Sequence, residues 1–549
     1  MVNRFNHQKS TAATVAIAKE VQGSDNIHEM TTKDKDTVVV VLAAGKGTRL
    51  LSDVAKVLHR AGGRSLVEHV VRACLPLEAA EIIAVVGHQA DDVRAVVTPL
   101  GAKSILQEPQ NGTGHALQIA REAIGKKAKV AIVVPGDAPL IRTETLAALL
   151  ETHYAGRAAA TILTAKLKDP TGYGRIIRQQ DGSVAAIVEE KAASPEQRVI
   201  REINSSIYCF TLEKLWPCLS ELRPDNAHRE LYLTDAIARL NERDEKVLAQ
   251  VADDPLEILG CNTRAELVEV DRIFRQRKTA ALMAAGVTIY LPETVIIDSE
   301  VEAGRDTVIE PCVQLLGKTR MGAHCTVRTG SIVNDATLEE NVLIEPHSVI
   351  DGAVLAKNSV VGPFARLRRG AELREGARVG NFVEMKNAVL HEGAKALHLT
   401  YLGDASIGRA TNIGAGTITC NYDGVRKNRT TIGDRVFIGS DTALVAPVEV
   451  GDGAYVAAGS TITDSIPADA LGIARGRQVN KPGWAAERRA KIEAEKAGAS
   501  LPTPAAKSTT AGGSHNPGPA HNSPPSSDNS RARRGSSATV KRRKPARRR

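Results

Sequence analysis

The chain has 549 residues, 42% of them hydrophobic and 25% charged, and no apolar run approaches the roughly 18 residues that a membrane-spanning helix needs, which excludes a helical membrane protein. The formal net charge of +9 suggests a nucleic-acid binder until it is located: residues 501–549 hold eleven Lys or Arg against one acid, Asp528, and the remainder is near neutral. Seven cysteines, odd in number and never in a C-x-x-C pair, argue against a disulfide framework or a cysteine zinc site and fit a reducing cytoplasm.

Residues 1–36 are polar and read as a disordered extension. The mildly apolar stretch Thr11 to Ala18 is near the lower limit for a signal-peptide core and contains threonine. From Thr37 the text becomes α/β. Thr37 to Leu42 is a β-branched run ending in a Gly-rich turn, which predicts a buried parallel strand. Ile82 to Val86 and Val130 to Val134 repeat the pattern, with helical stretches at 65–73 and 114–123. This alternation predicts a Rossmann-like, doubly wound sheet over 37–263, with its sites at the strand carboxyl ends. Residues 264–285 contain no Gly or Pro before Gly286 and predict a helical linker.

After Gly286 a six-residue period takes over. Ile432, Ile438, Leu444, Val450, Val456 and Ile462 keep one step, and Val361, Leu367, Leu373 and Val379 another. Hexapeptides of this kind predict a parallel β-helix over 286–484, whose narrow interior explains why Phe, Trp and Tyr make up only 3% of the chain. Interruptions near 383–402 and 419–430 read as loops projecting from the coil. Residues 485–549 read as a helix-prone stretch followed by a disordered basic tail. The preferred reading of that tail is a solvated, solubilising segment; contact with nucleic acid or anionic lipid is the other.

The chemistry-bearing segments begin with Leu42-Ala-Ala-Gly-Lys-Gly-Thr-Arg49, neither a Walker loop nor a dinucleotide fingerprint. Its glycines let backbone N–H groups approach phosphate, and Arg49 and Lys56 add cations. Downstream come Gln107 to Ala116, Pro135 to Leu140, Gly172 to Ile176, Ile187 to Lys191, Glu202 to Asn204 and Glu230 to Asp235. In the second half Arg366 to Arg369, Asn381 to Asn387, His398 to Asp404 and Asn412 to Gly424 place polar groups that a plain coil does not need.

Over roughly residues 37–484 these motifs closely resemble the bacterial bifunctional N-acetylglucosamine-1-phosphate uridyltransferase / glucosamine-1-phosphate acetyltransferases. The resemblance implies an α/β nucleotidyltransferase followed by a left-handed parallel β-helix of hexapeptide repeats. It implies UTP and acetyl-coenzyme A as co-substrates, glucosamine-1-phosphate and N-acetylglucosamine-1-phosphate as the sugars, a homotrimer and a cytoplasmic enzyme. It places the uridine-binding turn on Leu42, Ala43, Ala44 and Gly45, and phosphate-facing, catalytic cations on Arg49 and Lys56. Base recognition falls on Gln107, Gly112 and Thr113, and sugar contacts on Gly174, Glu189 and Asn204. Magnesium falls on Asp137 and Asn262, and such a hard cation does take few protein oxygens. Two positions depart from the family pattern. Ala55 replaces a proline usual before the lysine and leaves that loop less constrained; Pro135 replaces a tyrosine or another side chain.

In the second half the resemblance makes His398 the general base, a role that suits an imidazole near neutral pH. Glu384 is a candidate to orient it. Arg368 and Lys386 match sugar-phosphate contacts, and Tyr401 and Asn412 contacts to the sugar. Ala415, Asn421, Tyr422, Ser440, Ala458 and Arg475 match the acetyl-coenzyme A site. Either Ser440 or a backbone N–H stabilises the thioester oxyanion. The competing reading is a monofunctional uridyltransferase whose β-helix is only a scaffold.

Overall fold

A computed structural model describes residues 36–224 and 229–497; the expected N-terminal extension up to residue 35 and the basic tail from residue 498 lie outside the described residues. The first strand, β1 (Thr37–Ala43), is a run of β-branched residues buried on both faces. It is followed by β2 (Glu81–Val86), β3 (Lys103–Leu106), β4 (Val130–Pro135), β5 (Ala160–Lys166), β6 (Arg175–Arg178), β7 (Val184–Val188), β8 (Glu202–Thr211) and β9 (Val247–Val251). They form one sheet of order β9-β5-β8-β4-β1-β2-β3, with the β6–β7 hairpin off β8. β8 runs antiparallel to both β4 and β5, and the other pairs along that path are parallel.

Period-two alternation splits the strand side chains between two cores. Val39 and Val41 pack with helices Leu66–Cys74, Ala90–Val97 and Thr143–Gly156 on one face. Val38 and Val40 pack with helices Thr113–Ala123, Leu212–Ser220 and Leu233–Glu242 on the other. This is the doubly wound mixed sheet. Its consequence is that β1 and β4, hydrogen-bonded neighbours, deliver the Gly-rich turn and Asp137 side by side at their carboxyl ends.

Helix Arg264–Ala284 starts at a capping box between Thr263 and Glu266. It stops where Gly286 adopts φ +93, a left-handed stop that a side chain resists. The helix holds the first domain to the first coil of the second. Phe274 stacks on buried His69 at 3.8 Å, and Arg275 bridges Asp271 and Asp298. Ser299 N–H donates to the Gly62 carbonyl at 2.9 Å.

From Thr288 the chain winds as a parallel β-helix with three short strands per coil. Contacts between coils span 17 or 18 residues, as Ile296 opposite Gln314 and Thr337 opposite Val354 illustrate. Its core from Leu282 to Ile466 contains Leu, Val, Ile, Ala, Met and Cys but no aromatic ring. Buried corner hydroxyls are satisfied by backbone carbonyls; Ser348 donates to Glu345 and Thr417 to Gly414.

One expected loop is absent. Across 383–402 the register is unbroken, with Glu384 opposite Tyr401 and Asn381 opposite His398. The polar residues there decorate the coil and interrupt only the visible period. The other interruption is a true insertion. Across it the step widens to 25 residues, with Asn412 opposite Phe437, and the excess forms a small hairpin around Tyr422 and Lys427. A separate unit begins at Gly476 and contains helix Trp484–Lys496.

Candidate functional sites

The Gly-rich turn follows β1. Its first half is held down: Leu42 carbonyl accepts the Gly136 N–H and Ala44 carbonyl the His88 N–H. Gly45 has open space where a Cβ would stand. Gly47 has φ +70, and a side chain there would collide with the Cβ of Lys56. The turn therefore closes against Lys56 only because residue 47 is glycine.

Lys56 carries its ammonium to the Oδ2 of Asp137 and, at 2.8 Å, to the Oδ1 of Asn262. Arg49 donates to the same amide oxygen at 2.7 Å. Asp137 and Asn262 come from segments far apart in sequence, joined where Cys261 N–H donates to the Asp137 carbonyl. Two oxygen donors thus converge on one positive charge, for which the lysine ammonium stands in. One carboxylate and one amide oxygen suit a hard cation that completes its shell with water and phosphate, so these residues fit magnesium. Burial pushes the Cys261 thiol up to about 12. Among the described residues no group of three or more His, Cys, Asp or Glu forms a metal cage.

Two further clusters flank this one. Buried Gln107 donates to the Gly112 carbonyl at 3.0 Å, and the Thr113 hydroxyl accepts the Leu233 N–H. Gly174 carbonyl accepts the N–H of buried Asn204, whose side chain donates to Tyr208. Glu189 lies beside Gly174, and desolvation, aided by the nearby charge of Asp235, raises its carboxyl above the usual range. Burial raises the Tyr173 hydroxyl above its usual range, and the charges of Glu266 and Asp137 add to this.

The β-helix builds the second site as a column. Leu399 N–H bonds Asn381 carbonyl, Asp441 N–H bonds Ala415 carbonyl, and Gly459 N–H bonds Ser440 carbonyl. Asn381, His398, Ala415, Ser440 and Ala458 therefore recur at one corner of successive coils. Arg475 closes the column by donating to the Ala458 carbonyl at 2.8 Å. His398 is exposed, and its Nδ1 lies 3.1 Å from the Oδ1 of Asn381. Glu384, the expected orienting carboxylate, is instead engaged by Arg368 at 3.0 Å. Tyr401 sits beside Glu384 on the next coil, while Asn412 lies on the other sheet beside Lys395 and Phe437.

Beside Arg368, the ammonium groups of Lys386 and Lys427 meet. Lys427 holds Lys386 below the ordinary lysine range, Arg368 adds to this, and Asp404 opposes it. Asp404 in turn accepts the amides of Asn387 at 2.6 Å and Asn421 at 2.5 Å. Tyr422 is exposed in the hairpin that Asn421 begins. The three cations give this face positive charge, which suits an anion such as phosphate.

Residues 39–232 match the MobA-like NTP transferase domain, and residues 429–464 match the bacterial transferase hexapeptide (six repeats). The "Bifunctional protein GlmU" of Koribacter versatilis (strain Ellin345) is 48% identical over 469 residues, covering 85% of this chain and 100% of that relative. Its namesake in Solibacter usitatus (strain Ellin6076) is 50% identical over 452 residues, covering 82% of this chain and 97% of the relative. That of Streptococcus equi subsp. zooepidemicus is 47% identical over 448 residues, covering 81% and 96%. The chain belongs to the GlmU family.

A GlmU protein joins a nucleotidyltransferase domain to a hexapeptide transferase domain, and the two polar clusters fall one in each. Sequence reasoning named Asn381 only as the start of a polar segment, with no role, and did not name Lys427. The coil step gives the first, because the residue one 17-residue turn before His398 is Asn381. The inserted hairpin gives the second, because an insertion rich in Arg and Lys beside Lys386 is an anion site in waiting. No helix described in this GlmU chain is long and apolar enough to cross a membrane.

Proposed function

We propose that the β-helix site transfers the acetyl group of acetyl-coenzyme A to the amine of glucosamine-1-phosphate. The α/β site then transfers a uridylyl group from UTP to the N-acetylglucosamine-1-phosphate formed, giving UDP-N-acetylglucosamine and pyrophosphate. The observation that carries the reading is the convergence of Arg49 and Lys56 on Asn262, with Lys56 also paired to Asp137, at the carboxyl end of the sheet.

In the α/β site the sugar phosphate is already anionic and needs no general base. Its oxygen attacks the α-phosphorus of UTP as the bond to the β-phosphate breaks, and pyrophosphate leaves. Arg49 and Lys56 neutralise the charge on the phosphates, and Gln107, Gly112 and Thr113 hold the base beside the turn Leu42 to Gly45. Gly174, Glu189 and Asn204 orient the sugar. Asp137 and Asn262 hold magnesium, which when bound supplies further neutralisation of phosphate charge.

In the β-helix site Arg368, Lys386 and Lys427 hold the sugar phosphate, with Tyr401 and Asn412 on the sugar. The thioester arm lies along Ala415, Ser440 and Ala458, whose small side chains leave the backbone accessible. Asn421, Tyr422 and Arg475 complete the coenzyme site. His398 takes the proton from the attacking nitrogen, a carbon–nitrogen bond forms, and coenzyme A leaves as its thiolate. A trimer would cover the exposed Phe364, Phe382 and Leu399 at the corner that carries His398. The proposed location is the cytoplasm.

The test mixes the purified protein with glucosamine-1-phosphate, acetyl-coenzyme A, UTP and magnesium, and follows free thiol and pyrophosphate separately. Both products, with thiol release independent of UTP, are expected. Pyrophosphate only from ready-made N-acetylglucosamine-1-phosphate would make the β-helix a scaffold.

A further inference from the structure

The segment that delivers Lys56 is held by one side chain from another element. Gln89 precedes helix Ala90–Val97 with a left-handed backbone, φ 51. Its Oε1 accepts the Ala55 N–H at 2.6 Å, and its Nε2 donates to the Asp53 carbonyl at 2.9 Å. A single amide therefore clips both ends of the Asp53–Ala55 turn, as a neighbouring strand would. Ala55 is buried and leads directly into the short helical turn Lys56–Leu58.

The chain on the other side of this turn is loosely tied. Leu51 is 90% exposed with φ 50, and Val54 N–H finds only the Ser52 hydroxyl at 3.2 Å. Lys56 must nevertheless place its ammonium between Asp137 and Asn262 and leave the backbone room for Gly47. The backbone just before it has to be fixed, and Gln89 is the group that fixes it.

We infer that Gln89 is a positioning residue for Lys56 in uridylyl transfer; the inference rests on the role proposed above for Lys56. Ala55 has φ −54 and ψ 137. That φ lies inside the range a proline ring imposes. A proline at 55 lacks the N–H that Gln89 binds, yet fixes the same torsion covalently. The hydrogen bond and the ring are thus alternative solutions to one problem, and this makes the idea testable by a double-mutant cycle.

The experiment measures pyrophosphate release by the full chain and its Gln89→Ala, Ala55→Pro and doubly substituted variants. Thiol release from each preparation reports whether the protein is folded. Gln89→Ala should lower kcat/KM for uridylyl transfer by about tenfold, mostly in kcat, with acetyl transfer unchanged. With Ala55→Pro present, removing Gln89 should cost less than about twofold. Full uridylyl transfer by Gln89→Ala, or an equal loss in both backgrounds, would overturn the inference. Should the proline variant fold poorly, Gln89→Glu and Gln89→Met decide. Glutamate keeps an acceptor for the Ala55 N–H and methionine keeps neither bond, so glutamate should be the more active; equal activities would sink the idea. A wild-type protein with no uridylyl transfer at all would instead refute the reading of the site itself.

Discussion

The Nδ1 of His398 lies 3.1 Å from the Oδ1 of Asn381, its register partner one coil earlier. An amide oxygen only accepts, so Nδ1 carries the proton and Nε2 is the basic atom of the neutral ring. Asn381→Ala should therefore lower acetyl transfer by about ten- to a hundredfold while leaving uridylyl transfer intact. Asn381→Asp should move the acid limb of the acetyl-transfer pH profile upward, because a carboxylate beside the ring favours imidazolium. Thiol release measured across pH checks both.

Lys386 is held below the ordinary lysine range by Lys427, with Arg368 and Asp404 as the other charged neighbours. Loss of its proton removes a positive charge, so KM for the sugar phosphate should rise with pH sooner than an ordinary lysine would cause. Lys427→Ala should raise that KM at neutral pH and shift its pH-dependent rise to higher pH. An unshifted rise would show that Lys427 does not set the behaviour of Lys386.

Asp137 neutralises Lys56 and, in the proposed mechanism, shares the metal with Asn262. Asp137→Asn keeps the shape and removes the charge. Pyrophosphate release should fall by about a hundredfold or more. Chelation by EDTA should abolish the same activity in the wild type, and thiol release should be insensitive to both treatments.

Glu257 is fully buried, bonded to Arg142 and to the Thr145 hydroxyl at 2.5 Å. Arg142 is partly exposed and also faces Asp254, so losing the carboxylate costs mainly the hydrogen bonds it accepts. Glu257→Leu should cost about 1 to 2 kcal/mol of stability in the α/β domain, read from guanidinium unfolding.

Much of this was legible in the residues. The β-branched runs announced β1, β2 and β4, and the six-residue period announced the coil. Arg49 and Lys56 were visible as cations near the first Gly-rich turn, and Asp137 and Asn262 through the family resemblance; the fold brings the four together. Residues 383–402 were misread because a coil tolerates polar outward positions without changing register, so loss of the pattern is not insertion of chain. Gln89 was invisible for a different reason. Its partners are the Asp53 carbonyl and the Ala55 N–H, which any residues there, proline at 55 excepted, would present. Lys427 was hidden by the overlong coil, which displaces it from the expected step.

The single 25-residue coil has a consequence for how this architecture changes over time. Each coil bonds to the coils on either side, and the register resumes at 18 residues immediately beyond the hairpin, with Thr430 opposite Val448. An excursion at one corner is thus paid out locally and leaves every other rung where it was. Catalytic equipment can be grafted, lengthened or lost on one storey of such a tower without rebuilding the rest, so substrate preference and stability can diversify almost independently.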